Sequence, residues 1–296
     1  MSTHDPLTRL SSRYVRRRRW GRLMEALASA AALVAIAVLL IVIFSVARRG
    51  LPALNADLFT KVTTTFGIPG ETGGIKNAII GTVLMTLMAT AMSVPIGVLI
   101  AIFSSEFASA SAARWIAITL NVLAGVPTIV IGVFIFGLLV IGTGYSAFAA
   151  AVALAIIQLP IVARSTEEVL LLVPPTLREA GMALGASRSR TVVTVILPTA
   201  VGGIVTGMIV AVARAAGETA PLLFTTSLFA NAVVTDPSKP MASIPLVIFQ
   251  GAESPSQQDQ QVAWAAALVL LAIVLLGSIF GRLLSLRARR QIEQMR

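Results

Sequence analysis

The sequence predicts an all-α integral membrane protein, with six transmembrane helices and a short helix in a cytoplasmic loop. Three observations support this prediction: the composition, a series of long apolar runs and the positions of the basic residues. Of the 296 residues, 56% are hydrophobic and only 12% are charged, and the mean hydropathy is +0.89. Because a soluble domain of this size could not cover so much apolar surface, the chain is expected to lie in a membrane.

Six apolar runs are long enough to cross a bilayer. About 20 residues, at about 1.5 Å per residue, span a hydrocarbon layer of roughly 30 Å. The second and third runs contain Pro95 and Pro127, which we expect to kink the helices without ending them, because neighbouring helices satisfy the freed carbonyls. The runs are 26–47, 78–103, 115–141, 147–163, 196–216 and 262–281.

The basic residues indicate how these helices are oriented. If all six runs cross the membrane, most of the 23 lysines and arginines fall on one side, and Arg214 remains inside the fifth run. Because positively charged loops stay in the cytoplasm, both termini are expected there. We therefore divide the chain into an arginine-rich cytoplasmic tail (1–25), a six-helix transmembrane domain (26–284) with a cytoplasmic loop at 164–198, and a basic cytoplasmic tail (285–296).

The composition excludes several classes of chemistry. Cysteine is absent and His4 is the single histidine, so we expect no thiol chemistry, no metal site and no cofactor. No G-x-x-x-x-G-K-[ST] loop occurs, so the chain is not expected to bind ATP or to be an enzyme. A net charge of +10 is also found in nucleic-acid-binding proteins. Here the basic residues lie where membrane topology places them, and we expect no nucleic-acid partner.

Arg214 and Glu218 are the most informative residues at the end of the fifth run. A charge at the centre of a membrane helix costs about 2.5–3.5 kcal/mol, whereas an apolar residue returns only about 0.3–0.6 kcal/mol. An ionisable residue inside a membrane is therefore a candidate functional site. Two alternatives remain open: an i,i+4 Arg–Glu pair that locks two helices together, or a pair that lies near the outer surface.

The loop at 164–198 is predicted to contain a short amphipathic helix. Thr176 and Glu179 form a capping box that would start this helix, and Gly185 is a favourable residue to end it. Ser187 can cap a second short helix. A helix of this kind can rest in the lipid interface, pack on its own bundle or dock into a groove of another protein. Its apolar stripe, at i, i+3, i+4 and i+7, consists of Leu177, Ala180, Gly181 and Leu184.

The same loop carries a recognisable signature. The order Glu179-Ala180-Gly181-x3-Gly185-x9-Val195-Ile196-Leu197-Pro198 resembles the EAA motif of bacterial ABC importer permeases, with Gly181 in place of the usual alanine. This resemblance implies the fold of a type I (MetI-like) ABC importer permease. In that family the helix is a coupling helix, which docks into a cleft of a cytoplasmic ATPase subunit. The residues predicted to couple to the ATPase are Glu179, Ala180, Gly181, Leu184 and Gly185.

Four further segments narrow the resemblance. The segments 73–82, 125–132, 159–168 and 213–222 together are similar to one of the two permease subunits of bacterial high-affinity phosphate importers. The likeness covers about residues 70–285. It implies that Arg214 and Glu218 act in transport, and we add Thr219, the next residue of the same motif, to the predicted translocation site.

The resemblance also implies a set of partners. The chain would form half of a translocation path in the bacterial cell membrane, in contact with membrane lipid, and would pair with a second permease subunit. A dimer of ATPase subunits would drive transport, and an extracytoplasmic phosphate-binding protein would deliver inorganic phosphate.

Three other functions are alternatives to a phosphate importer. The same fold could carry another oxyanion, sulfate or molybdate. A self-sufficient ion-coupled carrier or channel would have no use for the EAA stripe. A membrane-embedded enzyme would need a cluster of polar catalytic residues at the interface, and the sequence shows none beyond Arg214 and Glu218.

Overall fold

The computed structural model describes residues 12–64, 66, 73–226 and 232–294, and within these ranges the chain is helical and contains no β-strand. His4 and the segments 67–72 and 227–231 lie outside the described residues. The chain divides into two compact units, Met1–Arg48 and Arg49–Arg296.

The helix α1 (Ser12–Gly50) makes up the described part of the first unit. It contains the predicted run 26–47 and begins well before it, in the arginine-rich segment. Its length and composition are sufficient to cross a membrane. Apolar side chains such as Leu33 and Ile41 are exposed along it, as expected of a helix that is solvated by lipid rather than by water.

Two long helices form the centre of the second unit, α3 (Lys76–Ile102) and α7 (Ala147–Leu171), and a short helix, α2 (Ala56–Thr60), precedes them. Pro95 lies inside α3 and Pro160 lies inside α7, and both helices continue through their proline. The helix α7 is the most buried of the candidate spans. It extends beyond the predicted end at 163, so the start of the proposed loop 164–198 is helical.

The third predicted span is broken. The helices α4 (Ala110–Gly125) and α5 (Thr128–Ile135) meet at a bend of 90°. Val126 is extended (ψ 128°), because the residue before a proline disfavours the helical conformation, and Pro127 then caps the start of α5. The prediction that Pro127 would only kink a continuous helix is wrong.

The remaining helices include three π-helical turns, in which the backbone hydrogen bonds are shifted by one residue. One π-turn (Phe103–Phe107) ends α3, one (Phe136–Val140) links α5 to the short α6 (Ile141–Thr143), and one (Val192–Ile196) precedes α10. The other helices are α8 (Pro175–Ala183), α9 (Arg188–Thr191), α10 (Leu197–Ala216), α11 (Ala220–Thr225), α12 (Ile244–Glu253) and α13 (Gln257–Gln294).

A short apolar stretch, which includes Pro221, follows the turn after α10. It forms α11, in which Pro221, Leu222 and Thr225 are buried. This helix packs on α5 so closely that a Cβ atom added at Gly132 would meet the Pro221 Cα atom at 2.7 Å. The segment is therefore part of the bundle rather than an external loop.

The predicted number of spans is confirmed. In the described part of the chain, five helices are long and apolar enough to cross a membrane, and the bent pair Ala110–Gly125 and Thr128–Thr143 makes a sixth. The fifth span is the continuous helix Arg188–Ala216, which starts earlier than the predicted run at 196. The first turn of this helix is polar, so it was not included in a run that was defined by hydropathy.

Two glycines let α10 approach α7 closely. A Cβ atom added at Gly203 would meet Val169 at 2.6 Å, and one added at Gly207 would meet the Ser165 Cβ atom at 2.6 Å. Small residues four positions apart are a common means of bringing membrane helices into contact. The position of α10 therefore depends on the absence of side chains at these two sites.

We predict that Gly207→Ala lowers the thermal unfolding temperature of the detergent-solubilised protein, because α10 must move away from Ser165. Overpacking of this kind costs about 1–3 kcal/mol. The control is Gly277→Ala in α13, where an added Cβ atom has no neighbour within 4 Å. That variant should keep or slightly raise the unfolding temperature, because alanine favours a helix by up to about 1 kcal/mol. Equal effects of the two substitutions would contradict the close α7–α10 contact.

Candidate functional site

Arg214 lies in the last turn of α10 and borders a small cavity. The cavity has a volume of about 130 Å³, and its wall is formed by the end of α4, the start of α5 and the middle of α7. Ala124, Thr128 and Pro160 represent these three elements. The break between α4 and α5 therefore borders the same cavity as Arg214.

The depth of Arg214 follows from its neighbours on α7. Ile157, Pro160 and Ile161 line the same cavity, and they lie near the midpoint of the 25-residue span Ala147–Leu171. If α10 began at residue 196, Arg214 would lie about 27 Å along it, at about 1.5 Å per residue, near the outer surface. The helix instead begins at Arg188, before the apolar run, and its contact with α7 places Arg214 beside the middle of that neighbouring span.

The Arg214 side chain is only loosely paired. Its Nε atom lies 3.7 Å from the Oε1 atom of Glu218, which is too long for a hydrogen bond. Among the described residues, no hydrogen-bond acceptor contacts the guanidinium group, which leaves its donors available to a ligand. The side chain of Arg214 is 60% exposed in the chain, whereas that of Glu218 is 15% exposed. The predicted pair is thus present, but it does not lock two helices together.

Thr219 follows Glu218 at the turn between α10 and α11. It is half-buried, and its side chain does not cap α11. Its carbonyl oxygen accepts hydrogen bonds from the Leu222 and Leu223 N–H groups, at 3.1 and 3.3 Å. The structure therefore gives Thr219 a role in shaping the turn, and its role toward a substrate stays a prediction.

The predicted coupling helix is α8, but it does not begin with a capping box. Pro174 is the residue before the helix, Pro175 is its first residue, and the structure shows no side-chain hydrogen bond at this end. Proline at the first position is already close to helical φ and has no N–H group to leave unpaired. The capping-box prediction is wrong, because Thr176 lies inside the helix and not at its cap.

The other end of α8 follows the prediction. Gly185 has a φ of +83°, a conformation that favours glycine, and it stops the helix. The Gly185 N–H group donates to Met182 O at 2.9 Å, and the Ala186 N–H group donates to Gly181 O at 3.3 Å. Together these bonds form a Schellman motif. Ser187 caps α9, as predicted, by accepting from the Arg190 N–H group.

The apolar stripe of α8 is divided between two surfaces. Leu177 packs against a core cluster of its own bundle, and Gly181 is buried against Thr191. In contrast, Ala180 is exposed and Leu184 is 90% exposed. Half of the stripe therefore fixes the helix to the bundle, and the other half is free to contact another protein. Glu179 and Gly185 are exposed on the free part as well.

A buried ion pair that the sequence interpretation missed anchors α8. Arg178 donates from NH2 to the Oε1 atom of Glu106 at 2.7 Å, and from Nε to both oxygens of that carboxylate. It also donates to the carbonyl oxygens of Leu170 and Val173 at the end of α7. Glu106 lies in the π-turn that ends α3 and is only 3% exposed. In the sequence, Glu106 is an isolated acidic residue just after the apolar run 78–103, and nothing near it in the chain indicates a buried pair.

A second polar cluster, also missed as a site, joins α3, α4 and α7. Ser104 donates to the Oε1 atom of Glu167 at 2.6 Å, and Arg164 donates to its Oε2 atom at 3.0 Å. Arg164 also donates from NH2 to the Asn121 side chain at 2.8 Å and to Ala117 O at 3.0 Å. The sequence predicted Arg164 in a cytoplasmic loop, whereas it lies within α7 and links this helix to α4.

The family of the chain follows from its sequence profile. The profile described as "Binding-protein-dependent transport system inner membrane component" matches residues 93–290, which is more than half of the chain. The chain belongs to this permease family. Membership implies a membrane location and three kinds of partner: a binding protein, a second permease and an ATPase.

Relatives of this permease carry a more specific name. The phosphate transport system permease protein PstA of Pasteurella multocida (strain Pm70) is 40% identical over 244 residues, which cover 82% of this chain and 86% of that protein. The protein of the same name from Haemophilus influenzae is 38% identical over 278 residues, covering 93% and 97%. These relatives, named as permeases and not as enzymes, confirm the predicted resemblance.

Solved structures support the MetI-like permease fold. A chain of the inward-facing MetNI methionine ABC transporter matches with a TM-score of 0.57 and 21% identity, covering 72% of this permease and 95% of that chain. A chain of a bacterial alginate ABC transporter matches with a TM-score of 0.62 and 15% identity, covering 92% and 96%. At these identities the likeness concerns the fold alone.

Gly181, the departure from the EAA signature, has a structural explanation in this permease. A Cβ atom at this position would meet the Thr191 Cγ2 atom at 2.7 Å, a distance that real Cβ atoms essentially never show. The alanine that is usual in the signature would therefore push α8 away from α9. The side chain of Thr191 and the lack of one at Gly181 form a matched pair.

We predict that Gly181→Ala destabilises the packing of α8 by about 1–3 kcal/mol, and that adding Thr191→Ala restores it. The Thr191 hydroxyl is buried without a hydrogen-bond partner, so removing it should cost little by itself. Thermal unfolding of the wild type, both single variants and the double variant measures the interaction. Additive effects of the two substitutions would refute the matched pair.

Proposed function

We propose that this permease is the membrane-spanning subunit of an ATP-driven phosphate importer, in which it forms half of the translocation path. The observation that carries the proposal is the available guanidinium group of Arg214, which borders a cavity at the level of the middle of α7. The relatives named as phosphate transport permeases support the choice of substrate. We therefore interpret the Arg214 cavity as part of the path for the anion.

The chemistry of this cavity suits a tetrahedral oxyanion. Phosphate carries between one and two negative charges at neutral pH, and the planar guanidinium group presents several N–H donors without losing its proton. Thr128 is the first residue of α5, and the free N–H groups at the start of a helix also favour an anion. Glu218, at 3.7 Å from Arg214, would limit the grip on the anion. A translocation site must bind weakly enough for release.

The exposed part of α8 is the proposed contact with the ATPase. Ala180 and Leu184 are apolar and exposed beside the exposed carboxylate of Glu179. A small apolar surface on a rigid helix suits docking into a groove of another protein. The chain lacks the phosphate-binding loop of an ATPase, so the energy of ATP hydrolysis would enter through this contact.

The proposed assembly has four kinds of subunit. This permease would pair with a PstC-like permease, and two PstB-like ATPase subunits would bind from the cytoplasm. A PstS-like binding protein would deliver phosphate from the other side. The distribution of basic residues favours cytoplasmic termini in the bacterial inner membrane, with the coupling helix α8 on the same side.

We expect Arg214→Ala to abolish phosphate uptake, by at least about 100-fold, because it removes the charge-assisted hydrogen bonds proposed to hold the anion, each worth about 1.5–3 kcal/mol. The complete complex is reconstituted in vesicles, and uptake of labelled phosphate is measured with sulfate and molybdate as competitors. Subunit composition shows whether the complex still assembles. Lys239→Ala, which removes an exposed positive charge from an outer loop, is the control and should leave uptake unchanged. Near-normal uptake by an assembled Arg214→Ala complex would reject the proposed site.

We expect Glu179→Lys to detach the ATPase and so to stop uptake, because it reverses a charge on the exposed part of α8. The measurement is co-purification of the ATPase subunits with the tagged permease. Glu253→Lys, an equal charge reversal at the exposed end of α12, is the matched control and should retain the ATPase. If Glu179→Lys retains both the ATPase and stimulated ATP hydrolysis, α8 is not the contact.

A further inference from the structure

We infer that Arg164 is a positioning residue, through which movement of the coupling helix α8 reaches the wall of the Arg214 cavity. The inference rests on the proposed function and adds a route between its two sites. The route consists of two ion pairs, Arg178–Glu106 and Arg164–Glu167. The π-turn Phe103–Phe107 connects them, because it contains Glu106 and because its Ser104 donates to Glu167. The hydrogen bonds of the route are 3.2 Å or shorter. The bond between Arg164 and Glu167 lies within α7, and the others join different elements.

The first part of the route connects α8 to the π-turn. The guanidinium group of Arg178 contacts both oxygens of the Glu106 carboxylate, at distances between 2.7 and 3.2 Å. Bidentate pairs of this kind fix orientation as well as distance. Because Glu106 is buried, separation of the pair would leave an unpaired charge, so α8 and the π-turn are expected to move together.

The second part connects the π-turn to α4. Ser104 lies in the same turn as Glu106 and donates to Glu167 at 2.6 Å. Arg164 then holds Glu167 with NH1 and holds α4 with NH2, through Asn121 at 2.8 Å and Ala117 O at 3.0 Å. The two terminal nitrogens of one planar guanidinium group therefore bind α7 and α4 at the same time. The single ammonium group of a lysine reproduces this arrangement poorly.

The last part leads along α4 to the cavity. Asn121 lies one turn before Gly125, where α4 stops, and Leu123 and Ala124 in that turn line the cavity opposite Arg214. A shift of α4 relative to α7 therefore changes the distance between the cavity wall and the guanidinium group. Arg164 sets this position, and it does not itself border the cavity.

Contact alone does not establish coupling between two sites, so the test must report movement. The chain contains no cysteine, which allows a single reporter, Ala124→Cys, on the exposed cavity wall. The rate at which a water-soluble maleimide labels this chain is measured in the complete complex, without nucleotide and with a non-hydrolysable ATP analogue. In the Ala124→Cys protein with native Arg164, the analogue should change the labelling rate by at least about threefold. In Arg164→Lys and in Asn121→Leu this change should be lost.

The double variant Arg164→Lys with Asn121→Leu should be no more defective than either single variant, since both break the same link. Arg114→Lys, at an exposed arginine of α4, is the matched control and should keep the response.

Transported substrate per ATP hydrolysed should fall at least about tenfold in Arg164→Lys. A nucleotide response that survives in both Arg164→Lys and Asn121→Leu overturns the inference, as does a proportional loss of uptake and hydrolysis. Failure of the proposed function would instead appear as absent phosphate uptake in the unaltered complex.

Discussion

A charged group inside an apolar bundle must be paired or hydrated, and this constraint organises the second unit of the permease. Glu106 and Glu167 meet it by full pairing with Arg178 and Arg164, and these pairs hold α3, α4, α7 and α8 together. Arg214 meets it differently, since the carboxylate of Glu218 is 3.7 Å away and the residue borders a cavity. The contrast separates charges that maintain the fold from a charge that is available to a ligand.

Glycines are the second feature that holds the helices of this unit together, because they allow neighbouring helices to pack closely. Gly97, Gly203 and Gly207 bring α3 and α10 against α7, and Gly181 brings α8 against Thr191. These contacts fix α8, the proposed coupling helix, to the bundle, while its residues Ala180 and Leu184 are exposed. A helix that is fixed on one side and free on the other is suited to transmit displacement into the bundle.

The number of spans, the end of α8 at Gly185 and the Arg214–Glu218 pair could be predicted from the sequence, because hydropathy, glycine chemistry and i,i+4 spacing are local signals. The break at Val126 could not, since a proline in an apolar run is equally compatible with a kink. The Arg178–Glu106 pair could not either, because it joins residues that are far apart in the chain and neither has a local partner. The capping-box error arose because the helix begins at Pro175, before Thr176, and has no side-chain cap at this end.

The interruption between α4 and α5 has a consequence for hydration. Peptide groups outside a helix at membrane depth are tolerated only where protein covers them or where they line a water-filled space. Val126, in the interruption, lines the same cavity as Arg214, so the proposed path presents peptide groups as well as a guanidinium group to its contents. At the proposed site an entering anion would exchange part of its hydration shell for these polar groups, and would not meet bare hydrocarbon.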